Sequence, residues 1–170
     1  MRGLKRRDLP FLAAALAMLG LDQLTKALVS RLMEVGQYYP SDDWPLRLHY
    51  VTNTGAAFGI LRDQTAFLIL TSIIGIAAIV YYWRSQRQPW PTALCLGMML
   101  GGAAGNLLDR LRQGHVVDFL SFPYYPSFNV ADASIVLAFV GLIGYHLLWG
   151  ERQPVRVAGG VGSDDPGADR

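Results

Sequence analysis

Four long apolar stretches divide the chain, and polar residues gather at the joints between them. Residues 9–32 are apolar at helical spacing, interrupted only by Asp22 and Lys26 among charged groups before Arg31. Residues 65–83 (TAFLILTSIIGIAAIVYYW) carry no charge at all and end in two tyrosines and a tryptophan. Residues 90–111 and 132–149 complete the set. A membrane span needs about 20 apolar residues, so each stretch predicts a transmembrane helix. Tyr81, Tyr82 and Trp83 fit the aromatic belt at a membrane surface. Between helices one and two, residues 33–64 leave the membrane. Tyr38-Tyr39-Pro40-Ser41-Asp42-Asp43 is turn chemistry, and Leu46 to Val51 alternates apolar with polar, the period of a half-exposed strand. Residues 112–131 predict a re-entrant or interfacial loop rich in aromatics. Residues 151–170, polar and containing Gly, Asp and Pro, predict a disordered tail.

The start of the chain bears on the first span. Arg2, Lys5, Arg6 and Arg7 precede the apolar run, as in a cleavable secretory signal. The apolar character continues past Asp22 to Leu32 and three more spans follow, so the segment is read as retained. Composition agrees: 52% of the 170 residues are apolar and 16% charged, too few charges for an ordinary soluble domain. The expectation is one transmembrane domain over residues 1–150. A net charge of +2, without a basic stripe and interleaved aromatics, excludes a nucleic-acid binder. Unopposed basic residues sit at the N-terminus, in the loop at 84–88 and at Arg152 and Arg156. The 33–64 loop is mixed, with Glu34, Asp42, Asp43 and Asp63 against Arg47 and Arg62. The positive-inside rule therefore predicts both termini in the cytoplasm and the 33–64 and 112–131 segments outside.

Candidate chemistry concentrates in residues 101–135, GGAAGNLLDRLRQGHVVDFLSFPYYPSFNVADASI. Asn106, Asp109, Arg110, Asp118, Asn129 and Asp132 crowd between two apolar helices, a costly arrangement unless the groups are paired or functional. Two carboxylates sharing a site cannot both ionise readily, and such a pair hydrolyses amides: one takes a proton from water while the other donates to the carbonyl. Asp132 opens a helix, whose dipole favours the charged form. Asp118 sits in Val116-Val117-Asp118-Phe119, where burial favours the neutral form. These environments predict Asp132 as base and Asp118 as acid. Spacing alone does not bring them together, and two independent carboxylates, one capping a helix and one in a loop, remain an alternative. Asp109 and Arg110 face the loop from the end of helix three, suited to holding it. Asn129, three before Asp132, is placed to cap helix four or to bond the site. Asp22 and Lys26 form an i,i+4 pair, acid first, either as a helix-end ion pair or in contact with the site loop or a lipid headgroup. Asn53, in Asn53-Thr54-Gly55-Ala56-Ala57-Phe58, suits a close backbone approach or a plain turn. Gly97, Gly101 and Gly105 form a small-residue stripe for helix packing. Cys95 is a packing residue, and the three histidines lack metal-ligand spacing. An ion-coupled transporter would also use intramembrane Asp, Asn and Lys, but the polar residues here gather at one edge and no internal repeat is present. A non-catalytic scaffold would not need the aspartates.

Five segments carry a resemblance: Asp22-Gln23-Leu24-Thr25-Lys26; Asn53 to Phe58; Gly101-Gly102-Ala103-Ala104-Gly105-Asn106-Leu107-Leu108-Asp109-Arg110; Val116 to Phe119; and Phe128-Asn129-Val130-Ala131-Asp132. In this order, the chain from about Leu9 to Trp149 resembles the lipoprotein, or type II, signal peptidases. The resemblance implies a mainly α, four-transmembrane-helix bundle with a small extracytoplasmic β-sheet and an interfacial helix. It also implies an aspartic endopeptidase of the bacterial inner membrane that uses neither cofactor nor metal; separately from the resemblance, a monomer is expected. Such an enzyme cuts diacylglyceryl-prolipoproteins before the modified cysteine, works among membrane lipids and is blocked by globomycin-type cyclic peptides. The family's catalytic pair falls on Asp118 and Asp132. Its lining or supporting residues fall on Asp22, Lys26, Asn53, Gly55, Asn106, Arg110 and Asn129.

Overall fold

A computed structural model describes residues 6–55, 64–85 and 87–149. A single 3-10 turn at Arg6–Asp8 leads into α1 (Leu9–Leu32), followed by β1 (Tyr38–Tyr39) and β2 (Arg47–Asn53). Then come α2 (Thr65–Ser85), α3 (Trp90–Gln113), β3 (Val116–Ser121) and α4 (Val130–Trp149). All four α-helices are long and apolar enough to cross a membrane. The expected mainly helical membrane bundle with a small sheet is therefore the architecture observed. The expected interfacial helix is not seen among the described residues, and 56–63 of that loop lie outside them. So do the basic residues at 2–5 and the 151–170 tail.

Helix α3 is the hub, packing against each of the other three helices. Its glycine stripe explains how. A Cβ on Gly101 would collide with the Ala15 carbonyl of α1, and one on Gly97 with the Phe11 carbonyl, so the two backbones meet without side chains between them. Gly102 does the same toward Ala131 and Ser134 of α4. Helix α2 is held more loosely, burying Leu68 alone. It is fixed where Trp83 stacks on Phe11 of α1, ring centres 4.1 Å apart, and where Thr65 Oγ1 donates to the Gly114 carbonyl at 3.1 Å.

The sheet caps one end of the bundle. It is antiparallel, in the order β1-β2-β3, with Tyr38 opposite His49, Val51 opposite Asp118 and Asn53 opposite Val116. β2 takes in all but Leu46 of the alternating stretch expected to be a strand. β3 corrects the loop expected at 112–131. Val116, Val117, Asp118 and Phe119 are all buried, so the strand shows no alternation and reads as a plain apolar run. Its two faces have different neighbours. Val117 and Phe119 pack with Val29 and Tyr50 in a core beneath the sheet, whereas Val116 and Asp118 line a cavity on the opposite face. Gly114 sets the entry to β3. At φ +77° it closes α3 in the left-handed region, its N–H donating to the Arg110 carbonyl.

Candidate active site

Asp118 enters the site from β3 and Asp132 from the first turn of α4. The chain between them folds back, with Phe128 bridging to Leu120, so that Asn129 lies between the carboxylates. Asn129 is wholly buried and every polar atom of its side chain is used. Its Nδ2 donates to Asp118 Oδ1 at 2.7 Å and to Asn106 Oδ1 at 3.1 Å. Its Oδ1 accepts the Asp132 N–H at 3.1 Å, while its own N–H donates to Asp132 Oδ2 at 3.3 Å. This reciprocal exchange at the start of a helix is a capping box. The residue thus caps α4 and ties the two aspartates together. The other oxygens are met in the same manner: Asn53 Nδ2 donates to Asp118 Oδ2 at 2.8 Å, and Asn106 Nδ2 to Asp132 Oδ1 at 2.7 Å.

Both aspartates line one cavity of about 240 Å³, together with Asn53, Gly55, Asn106 and Arg110. Tyr125, Pro126, Ser127 and Phe128 form another part of its wall. A larger apolar groove shares Tyr125, Phe128, Asp132 and Val136 with this cavity, so a ligand could meet both carboxylates while resting on apolar surface. Burial pushes the Asp118 carboxyl up to about 7. Hydrogen bonds from Asn53 and Asn129 and the charge of Lys26 oppose that rise, while the nearby Asp132 adds to it. A carboxyl with that value holds a proton for much of the time at neutral pH and can act as an acid.

Behind the aspartates lies a second polar layer. Lys26, nearly inaccessible, pairs with Asp22 Oδ2 at 2.9 Å and Asp109 Oδ2 at 2.7 Å. It also donates to Asn106 Oδ1 at 2.8 Å. Asp22 Oδ1 accepts the Ala131 N–H at 3.0 Å, joining α1 to the first turn of α4. Gly105 leaves room for this carboxylate, since a Cβ there would strike Asp22 Oδ2. Gly105 therefore accommodates an ion as well as serving helix contact. The i,i+4 pair faces the bundle interior. Asp109 turns toward α1 instead of toward the loop, accepting from Gln23 Nε2 at 2.9 Å as well as pairing with Lys26. Arg110 does reach the other segment, its Nη2 lying 3.5 Å from the Gly55 carbonyl.

Gln23 escaped the reading of charged residues because its role depends on neighbours from another helix. Ser127, on the cavity wall and 3.3 Å from His49 Nδ1, had no sequence signal either. His115 and His146 turn to the carbonyls of Gln113 and Leu142, away from the site.

Comparison with known proteins gives the geometry its setting. Residues 14–148 match the family model described as "Signal peptidase (SPase) II". The chain belongs to the signal peptidase II family. It is 41% identical over 129 residues to the lipoprotein signal peptidase of Halothermothrix orenii (strain H 168), covering 76% of this chain and 88% of that one. It is 42% identical over 144 residues to the lipoprotein signal peptidase of Halalkalibacterium halodurans, covering 82% and 92%. It also resembles a bacterial membrane enzyme structure obtained by the in meso method at 2.3 Å resolution, with a TM-score of 0.78 and 27% identity over 88% of this chain and 94% of that one. Membership makes the chain a protease of lipoprotein processing. With its four apolar helices, it is a multi-pass protein of the bacterial inner membrane.

Proposed function

We propose that the enzyme removes the signal peptide of prolipoproteins by hydrolysing the bond before a diacylglyceryl-modified cysteine, with Asp118 and Asp132 activating a water molecule. The observation that carries this reading is the convergence of both carboxyls on one cavity, each bonded to Asn129. In the proposed reaction, ionised Asp132 takes a proton from water as the oxygen attacks the scissile carbonyl, and protonated Asp118 donates to the carbonyl oxygen. When the tetrahedral intermediate collapses, the proton on Asp132 passes to the departing amine. The hydroxyl proton returns to Asp118 as the new carboxyl group forms. The dyad ends as it began, with one proton, and no covalent enzyme intermediate is formed.

Asn53, Asn106 and Asn129 hold the two carboxyls in place, Arg110 steadies the 53–55 segment, and Asp22, Lys26 and Asp109 brace the helices behind. The charge pattern supports an orientation with both termini cytoplasmic and the cavity near the outer face, where an exported precursor is within reach. The enzyme works as a monomer, without metal or other cofactor, and globomycin-type cyclic peptides are expected to compete for the cavity. The test uses a diacylglyceryl-cysteine precursor in detergent. Asp118→Asn and Asp132→Asn, each folded, should cleave at least about a thousandfold more slowly, whereas a chelator should leave the wild type active. Wild-type cleavage by either variant would overturn the dyad, and loss of activity to the chelator would require a metal.

A further inference from the structure

Four carboxyl oxygens face the dyad's hydrogen-bond donors, and three carboxamides supply most of those contacts. In each carboxamide the carbonyl oxygen is engaged elsewhere. Asn53 Oδ1 accepts the Gly55 N–H at 2.9 Å, and Asn129 Oδ1 accepts the Asp132 N–H at 3.1 Å. Both locks are made by backbone. Asn106 differs, because side chains hold its oxygen: Lys26, on another helix, at 2.8 Å, and Asn129 Nδ2 at the longer distance of 3.1 Å.

We propose that Lys26 is a positioning residue that locks Asn106 with its NH₂ toward Asp132, so that none of the three carboxamides offers the dyad a proton acceptor. The inference rests on the dyad reading given above. Ammonium groups donate and cannot accept, so Asn106 must turn its oxygen to Lys26 whichever way the amide is first drawn. Its NH₂ then points at Asp132 Oδ1, 2.7 Å away. The ammonium lies against three buried oxygens, 2.9 Å from Asp22 Oδ2, 2.7 Å from Asp109 Oδ2 and 2.8 Å from Asn106 Oδ1, and the two carboxylates hold it there by charge. Asp22 is itself tied to α4 through the Ala131 N–H, and Asp109 to α1 through Gln23. The cation is consequently fixed between three helices.

The chemical consequence concerns the single proton of the dyad. An Asn106 free to rotate could present its carbonyl to Asp132 and accept a proton shared by the two carboxyls, holding it away from the substrate. Locked as a donor, it leaves water, substrate and the other aspartate as the proton's partners. A cation that only neutralised Asp22 and Asp109 would have no such effect on turnover.

The test is a double-mutant cycle with Lys26→Met and Asn106→Ala, measuring kcat and KM on a diacylglyceryl-cysteine precursor in detergent, with folding followed by thermal melting. Lys26→Met should lower kcat by roughly 10- to 100-fold, the loss of one hydrogen bond to a charged group, with KM changed less than about threefold. Asn106→Ala should show a similar fall, and the double variant should be no worse than either single one. Should Lys26→Met fail to fold, Lys26→Met/Asp109→Asn removes the unbalanced charge and enters the same cycle against Asp109→Asn alone. A folded Lys26 variant with wild-type kcat, or additive losses in the double variant, overturns the proposal. Asp132→Asn is run alongside. If it is inactive while the losses are additive, the lock alone fails; if it is fully active, the dyad fails with it.

Discussion

Replacing Asn53 with alanine should move the alkaline limb of the enzyme's pH profile upward. Asn53 Nδ2 lies 2.8 Å from Asp118 Oδ2, and its hydrogen bond is the strongest influence holding down a carboxyl that burial raises to about 7. A hydrogen bond to a charged group contributes about 1.5–3 kcal/mol. At about 1.4 kcal/mol per pKa unit, its complete loss would correspond to roughly one to two units. Water admitted to the cavity replaces part of the interaction, so the expected shift is about one unit. The sign follows from the charge state. The donor favours ionised Asp118, its removal favours the protonated form, and the protonated form is the proposed acid. The alkaline limb of kcat/KM, which reports the free enzyme, should therefore move from about pH 7 in the wild type to about one unit higher in Asn53→Ala. Profiles over roughly pH 6 to 10 would resolve it, with Thr52→Ala, an exposed neighbour, as the control that should not move. A limb that stays in place or moves down would refute Asn53 as a stabiliser of charged Asp118, or Asp118 as the acid.

Three further outcomes follow from the same geometry. Gly105→Ala should cost about 1–3 kcal/mol in detergent unfolding, because its Cβ would displace the Asp22 carboxylate, whereas Gly20→Ala, with nothing near it, should be tolerated. Because the folded-state pKa of Asp118 is raised, its contribution to stability is fully present below the unfolded value near 3.8 and is lost as pH rises through about 7. Melting temperatures measured across that window should fall toward alkaline pH in the wild type, and this component should be missing in Asp118→Asn. Phe119→Ala, emptying the core beneath the sheet, should cost about 3–5 kcal/mol, as read by thermal melting, with the loss in stability exceeding any direct effect on kcat of the folded fraction.

The helices were legible because the bilayer's thickness imposes a length, and four apolar stretches meet it. The strand at 47–53 showed itself through alternation, one side being partly exposed. β3 concealed itself because both faces are buried, leaving Val116 to Phe119 without a polar period. Among site residues, Asn129 was readable from its spacing to Asp132, since capping is local. The pairing of Asp118 with Asp132 was not readable from spacing, because it depends on the return of the chain from β3 to Phe128. Asp109 points to the loop on sequence grounds for a similar reason: helical spacing defines a side of α3, but only packing determines that α1 occupies it. Gln23 and Gly105 belong with it. Their roles arise where α1 meets α3, and neither residue type announces the ion it accommodates.

The most direct test of the account is the protonation of the dyad itself. Infrared difference spectra recorded across neutral pH should show a carboxyl C=O band that titrates at about 7. The band should vanish in Asp118→Asn. In Asp132→Asn it should persist but titrate lower, because the charge that helps raise Asp118 is gone. A titrating band that survives Asp118→Asn and disappears in Asp132→Asn would contradict the assignment of Asp118 as the acid.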